Sequence, residues 1–282
     1  PAIPSGRDMH QIVKPSSGGI SFIFIYSILV IYQGFYLPLL SLPMSIVGLI
    51  DDKFNISKLF RFTSQILTLL IIIFYVKNDP GNIANTFANY GFWGYFILLL
   101  FGTSIINFIN FMDGIDGLIS GSMIVIFLTL NNEFHYLLPI IGTLSGFLYF
   151  NWHPSKIFMG DTGSLYLGTY LVSLMYSSSG ITSNLRILLL CSPLFWDALI
   201  CILRRLINKR NIFKAHKSHL YQRLVSNGLK HSVVAGIYIF LIAFLSLIYL
   251  FSSTLNLIVF SFLILILGIF IDKKYALDFN KT

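Results

Sequence analysis

Charge is what this chain lacks. Asp, Glu, Lys and Arg make up 11% of its 282 residues, against 56% apolar residues and a mean hydropathy of +0.79. So few charges cannot solvate the surface of a soluble domain, and the composition instead identifies an integral membrane protein. Cysteine is equally scarce. Cys191 and Cys201 are the only two and share one apolar stretch, so they read as buried thiols rather than a disulfide or a metal site. Internal repeats and low-complexity tracts are absent, leaving one membrane domain. The chain starts at Pro1 with neither Met nor a cleavable signal pattern, and a preceding piece is expected. The net charge of +8 (pI about 9.4) comes from cations in loops, where membrane proteins place them, so no nucleic-acid partner is expected.

What is abundant is apolar sequence in membrane-length runs. Residues 1–19 are polar and form an arm. Residues 20–50 would make a helix roughly 46 Å long, too long for a hydrocarbon core of about 30 Å, so a break is placed at Gln33-Gly34. Further spans are expected at 59–76, 92–111, 115–130, 134–150, 162–178, 185–206, 232–251 and 254–271. The predicted fold is therefore an all-α, polytopic transmembrane bundle of about ten spans. One membrane domain covers 20–271, with a basic loop at 207–231 and a tail at 272–282. With the arm inside, the cytoplasmic segments hold seventeen of the nineteen Lys and Arg residues, and only Lys77 and Arg186 fall outside. The same choice puts Asp51, Asp52, Asp113, Asp116, Asp161, His216 and His219 on the cytoplasmic face.

Carboxylates beside hydrocarbon are costly and mark function. In NFINFMDGIDGLISG (107–121), Asn107, Asn110, Asp113 and Asp116 recur every third residue. Each step drifts about 60° around an ideal helix, so the four converge only if the helix breaks, and Gly114 is the expected place. Asp51-Asp52 at the end of SIVGLIDDKFNISK repel one another and call for a cation; Lys58 and Arg61 follow, placed to meet a phosphate or to snorkel. FNWHPSKIFMGDTGSLYLG (150–168) holds a Gly160-Asp161-Thr162-Gly163-Ser164 turn that also suits a helix N-cap. INKRNIFKAHKSHLYQRLVSNGLKHS (207–232) surrounds His216 and His219 with Arg210, Lys214, Lys217 and Arg223, a cationic set for a polyanion or for anionic headgroups. His-x-x-His could be half of a zinc site, but nothing near it in sequence completes one. Mid-helix Asp197 needs a partner, and Arg204 lies two turns away on its face. Carboxylates for a hard divalent cation, cations for phosphates and a membrane-surface position together suggest phosphoryl transfer between a soluble and a lipid substrate.

In this order GLIDD, NFINFMDGIDGL, FNWHPSKIFMGDTGSLYLG, PLFWDAL with its following Arg pair, and AHKSHLYQRL closely resemble the polyprenyl-phosphate N-acetylhexosamine-1-phosphate transferases, the superfamily that includes phospho-MurNAc-pentapeptide translocase. The likeness runs from the arm IPSGRDMHQIVKPSSGG to about Leu224. It implies a ten- or eleven-helix bundle of the bacterial inner membrane with a cytoplasmic active site. It also implies a Mg²⁺-dependent reaction, with Mn²⁺ as a substitute, in which undecaprenyl phosphate attacks the β-phosphorus of a UDP-N-acetylamino sugar and UMP leaves. By the resemblance, Asp161 and Asp116 are metal ligands, Asp51 and Asp52 lie near the lipid phosphate, and Asp113, Asp116 and His219 join them as catalytic groups. Lys58, Asn107, Asn110, Asn151, His216, Lys217 and Arg223 are the implied substrate-binding set, amid membrane lipids and in a chain compatible with a homodimer.

The chain departs from that pattern twice. A span usually precedes the arm, and a histidine cluster usually stands where this chain reads His219-Leu220-Tyr221-Gln222. That cluster is usual in both the pentapeptide translocases and the GlcNAc-1-phosphate enzymes; its loss weakens the pentapeptide reading and resembles the branch that initiates O-antigen or other surface glycans, whose sugars are often modified amino sugars such as FucNAc or QuiNAc. The alternatives are the pentapeptide transferase itself and, from another class, a cation-coupled transporter, whose ions would sit near the bilayer midplane.

Overall fold

The computed structural model describes residues 14–134, 136–211 and 216–279, so Arg7, His10, Lys214 and Lys281 lie outside the described residues. No β-strand forms among them; the helices are α1 (Gly19–Gln33), α2 (Leu42–Phe54), α3 (Lys58–Val76), α4 (Ile83–Ala88), α5 (Phe92–Phe111), α6 (Leu118–Leu130), α7 (Leu138–Asn151), α8 (Gly160–Ser177), α9 (Gly180–Leu190), α10 (Ser192–Ile207), α11 (Leu220–Ser226), α12 (His231–Phe251) and α13 (Thr254–Tyr275). The architecture is all-α, as expected. The long first stretch does break where the sequence placed it. α1 stops at Gln33 because Gly34 turns left-handed (φ 76°), and a 3₁₀ turn, Leu37–Ser41, leads into α2.

Among the described residues four helices, α3, α5, α12 and α13, are long and apolar enough to cross a membrane. The expected span 185–206 is instead two helices, α9 and α10, meeting at 77°; together they pass the same test. Pro193 opens α10 and cannot donate to the preceding turn, so the backbone bends there. The segments expected at 115–130 and 134–150 are realised as α6 and α7, of 13 and 14 residues. At roughly 20 Å each, they are shorter than the hydrocarbon core, so helix length and apolarity do not by themselves yield a count of ten.

α8 is the axis of the bundle. Every residue from Thr162 to Tyr176 is buried, with α1, α2, α3 and α5 packed around it. Two of its polar side chains tie it to neighbouring elements: Tyr26 donates to Tyr170 at 2.8 Å, and Asn110 donates to Ser164 at 2.9 Å. Such bonds and close packing hold helices together where lipid gives no hydrophobic drive between them. The α2–α8 contact positions the site. A Cβ on Gly48 would lie 2.4 Å from the Asp161 backbone, so α2 rests directly on the first turn of α8 and carries Asp51 and Asp52 beside Asp161.

Candidate active site

Asp52 caps α8 from another helix. Its carboxylate accepts from the Asp161 and Thr162 amides (2.9 and 3.3 Å), the Thr162 hydroxyl (2.8 Å) and the Ser17 hydroxyl (2.6 Å). The N-terminal N–H groups of α8 and its dipole thus supply the positive field that Asp52 requires. Asp51 solves the same problem differently: it accepts from the Ile56 amide at 2.9 Å and pairs with Arg61 at 3.1 Å. The repulsion expected between adjacent aspartates is relieved by pointing them at two different sources of positive charge.

Arg61 bridges two elements, because the same Nη1 lies 2.9 Å from Asp161. The other Asp161 oxygen accepts from Asn110 at 2.9 Å, so α3 and α5 both orient this carboxylate. Asp113 completes the group. Burial pushes its carboxyl well above the usual range, and the neighbouring charges of Asp161 and Asp52 push it further. Among the described residues no side-chain hydrogen bond or ion pair reaches that carboxyl. Asp51, Asp113 and Asp161 are therefore three hard oxygen donors against one guanidinium, with Asn110 as a neutral brace.

The break between α5 and α6 spans Met112–Gly117 rather than centring on Gly114 alone. Gly117 supplies the left-handed turn (φ 75°) that starts α6. Gly114 has a different role: a Cβ there would fall 2.1 Å from the Tyr221 hydroxyl, which donates to the Phe111 carbonyl at the end of α5. The four Asx residues of the stretch consequently separate. Asn107 forms a reciprocal amide pair with buried Gln65 and binds α5 to α3, away from the carboxylates. Asn110 and Asp113 join Asp161.

Asp116 departs from the expectation that it shares a cation with Asp161. Its carboxylate accepts from the Ser155 hydroxyl (2.8 Å) and amide (3.2 Å), lies 2.8 Å from His153 Nδ1, and is 3.5 Å from His231 Nδ1. Burial works to raise this carboxyl, and the bonds from His231, His153 and Ser155 outweigh it, leaving it below the usual range. Asn151, expected to bind substrate, is 5% exposed; it accepts from Gly117 and Ser120 and donates to the Ile157 carbonyl, so it shapes the α6–α7 junction. The described end of the arm docks on the same junction through Lys14 to Ser155 (3.0 Å).

The basic loop is built around Asp197, whose partner is not Arg204. Asp197 accepts from the Leu220 and Tyr221 amides at 2.7 and 3.1 Å and from the Tyr238 hydroxyl at 2.7 Å, capping α11 in the manner that Asp52 caps α8. His219, the residue before α11, is 3% exposed, stacks with His216 and Tyr221, and meets the Phe111 ring at a tilt. Burial lowers His216 to about 4, with His219 and Arg205 adding to it, so its imidazole is neutral near pH 7. Arg204 and Arg223 both pair with Asp272 on α13. Arg223, expected to meet substrate, is 3% exposed and also donates to the Ser218 and Leu277 carbonyls, which makes it a structural tie. Lys217 is half-buried in the loop, and Lys58 lies exposed at the start of α3.

Four sequence motifs thus become one carboxylate centre and two supporting junctions. The sequence model described as glycosyl transferase family 4 matches residues 35–179, half of the chain and all of the carboxylate centre. The chain belongs to this family. A probable undecaprenyl-phosphate N-acetylglucosaminyl 1-phosphate transferase of Bacillus subtilis is 33% identical, over 94% of this chain and 81% of its own length. A phospho-N-acetylmuramoyl-pentapeptide-transferase of Bacillus pumilus is 30% identical over 78% of this chain and 79% of its own. A decaprenyl-phosphate N-acetylglucosaminephosphotransferase of Mycobacterium tuberculosis is 28% identical over 84% and 72%. Within this glycosyl transferase family 4 member, sequence reasoning missed the parts that only folding assembles. Gln65, His153, Ser155 and His231 bore no recognisable spacing, and Tyr221 announced itself only through a glycine more than a hundred residues earlier.

Proposed function

We propose that this protein transfers an N-acetylamino-sugar 1-phosphate from a UDP-sugar to undecaprenyl phosphate in the bacterial inner membrane, releasing UMP and starting a lipid-linked envelope glycan. The observation that carries the reading is the centre at Asp161, where carboxyls from α2 and α8 converge on the Arg61 guanidinium and Asp113 of the α5–α6 loop adds its charge nearby, at the end of apolar helices. An oxygen of the lipid phosphate attacks the β-phosphorus, the bond to UMP breaks, and its electron pair leaves on the UMP phosphate. This reaction asks the protein mainly to align two anions and neutralise them.

The donor set fits Mg²⁺: Asp161 and Asp113 offer hard oxygens, and among the described residues the second has no side-chain partner to surrender. Bound there, Mg²⁺ would neutralise charge on the phosphate oxygens. The chain's own residues do the rest. Asp52 fixes the first turn of α8, and Asn110 orients Asp161. Arg61, flanked by exposed Leu59, Phe60 and Phe62, offers a guanidinium for a phosphate next to an apolar surface suited to an isoprenoid chain. Asp51 stands beside Arg61 to accept a proton from an incoming phosphate.

A second donor, the UDP-linked muramoyl pentapeptide, is supported by the Bacillus pumilus relative. The test covers both: purified protein, undecaprenyl phosphate, Mg²⁺ and a panel of UDP-N-acetylamino sugars including the pentapeptide, with UMP release followed. UMP from a simple amino sugar is expected. Release with the pentapeptide alone would replace the first reading by the second, and no release from folded protein with any donor would overturn both.

A further inference from the structure

We propose that Cys201, His216 and His219 form a binding site for a thiophilic divalent metal ion of the zinc class, and that its occupancy shuts off the transferase. Sequence spacing left His-x-x-His as half a site, and the fold supplies the missing ligand. Cys201 on α10, His216 in the loop and His219 at the head of α11 each bring one ligand atom, all within 4.8 Å of one another.

Two further observations support it. The Asp197 carboxylate stands 3.5 Å from His219 Nδ1, as carboxylates commonly stand behind metal-bound imidazoles to orient them, which leaves Nε2 as the ligand nitrogen. The His216 and His219 ring centroids are 5.2 Å apart. With metal–nitrogen distances of about 2.0–2.1 Å, two imidazoles on one tetrahedral ion hold their centroids roughly 5 Å apart, so little movement is needed. One sulfur and two nitrogens select zinc or cobalt over magnesium, so this site and the carboxylate centre would not compete for the same ion. Binding deprotonates Cys201 and releases that proton to solvent. By contrast, in the Asp116, His153 and His231 group the Asp116 oxygens are already taken by Ser155 and His153.

The inhibitory consequence rests on the transferase reading, with His219 among the catalytic groups that the resemblance implies: a metal would hold the imidazole that the reaction needs. Purified protein in detergent with excess Mg²⁺ is titrated with Co²⁺. A thiolate-to-cobalt absorption band saturating at one equivalent is expected, and Zn²⁺ should displace it. Cys201→Ser and Cys201→Ala should both lose the band while keeping the parent's thermal unfolding and basal UMP release. Zn²⁺ should inhibit the parent, and either substitution should raise the inhibitory concentration on the order of tenfold or more, at least the loss seen when a residue behind a metal ligand is removed. No band from folded parent, or a band retained by both variants, overturns the site. Unchanged zinc sensitivity in the variants overturns the regulatory role. A band in protein that releases no UMP supports the site while refuting the transferase reading.

Discussion

The molecule gathers charge in two places and treats it in opposite ways. At the base of the basic loop, Asp272 pairs with Arg204 and Arg223, and Arg223 gives its remaining donors to the Ser218 and Leu277 carbonyls. The ring of Phe279 lies 5.2–5.8 Å from the guanidiniums of Arg204, Arg210 and Arg223 and packs over the cluster. Positive and negative groups there complete one another. At the carboxylate centre, Asp51 and Asp161 share the Arg61 guanidinium, and among the described residues no side chain pairs with the Asp113 carboxyl. A buried cluster that is satisfied stabilises and orients, whereas one left short of cations is poised for a ligand that brings them. Removing a charge should therefore cost stability in the first place and chemistry in the second.

The largest expected effect is on the satisfied side. Asp272→Ala leaves two guanidiniums without their anion and should lower stability by about 3–5 kcal/mol, read from thermal or denaturant unfolding in detergent. Asp161→Asn should do the reverse, reducing UMP release by about 10²–10³-fold with unfolding close to the parent's. If Asp161→Asn unfolded the protein as readily as Asp272→Ala, the distinction between the two clusters would be lost. Next comes Arg61→Gln, which removes the guanidinium that pairs with Asp51 and Asp161. It should cost roughly 1.5–3 kcal/mol in chelator, the range for hydrogen bonds to charged groups. Millimolar Mg²⁺ should restore much of that loss, because an ion that binds only the folded state stabilises it by mass action. A loss that Mg²⁺ does not touch would show that Arg61 is not a stand-in for a bound cation.

Much of this contrast was legible in sequence, and the limit has a physical cause. Asp51, Asp52, Asp113 and Asp161 stood out because acids beside hydrocarbon are rare, and that cost is local. A helix break near Gly114 was legible because a three-residue step cannot hold one face. What the sequence could not show was the pairing of long-range partners. Asp197 and Arg204 share a helix face, yet Asp197 was taken by the N-terminus of α11 and Arg204 by Asp272 on α13. Arg223 looked like part of a phosphate-binding loop because composition cannot distinguish a solvated cation from one buried against an acid fifty residues on. Cys201 looked inert because its imidazole neighbours come from the following loop, and the bend at Pro193 was hidden inside one continuous apolar run.

The smallest expected effect is also the most specific to the unsatisfied centre. The folded-state carboxyl of Asp113 is raised by burial and by Asp161 and Asp52, so the folded protein holds this proton more tightly than the unfolded chain. Its contribution is then fully present below the unfolded value of about 3.8 and is lost as pH rises through the folded value. Asp113→Asn keeps the shape without the titration. In chelator it should unfold a few degrees above the parent at pH 8, about 2–4 °C for each kcal/mol gained, and the gap should close toward pH 4. Adding Mg²⁺ at pH 8 should narrow the gap from the other side, by stabilising the parent's ionised carboxylate and not the amide. A gap that ignored both pH and Mg²⁺ would mean that Asp113 is as satisfied as Asp272, and the two clusters would then differ in composition but not in kind.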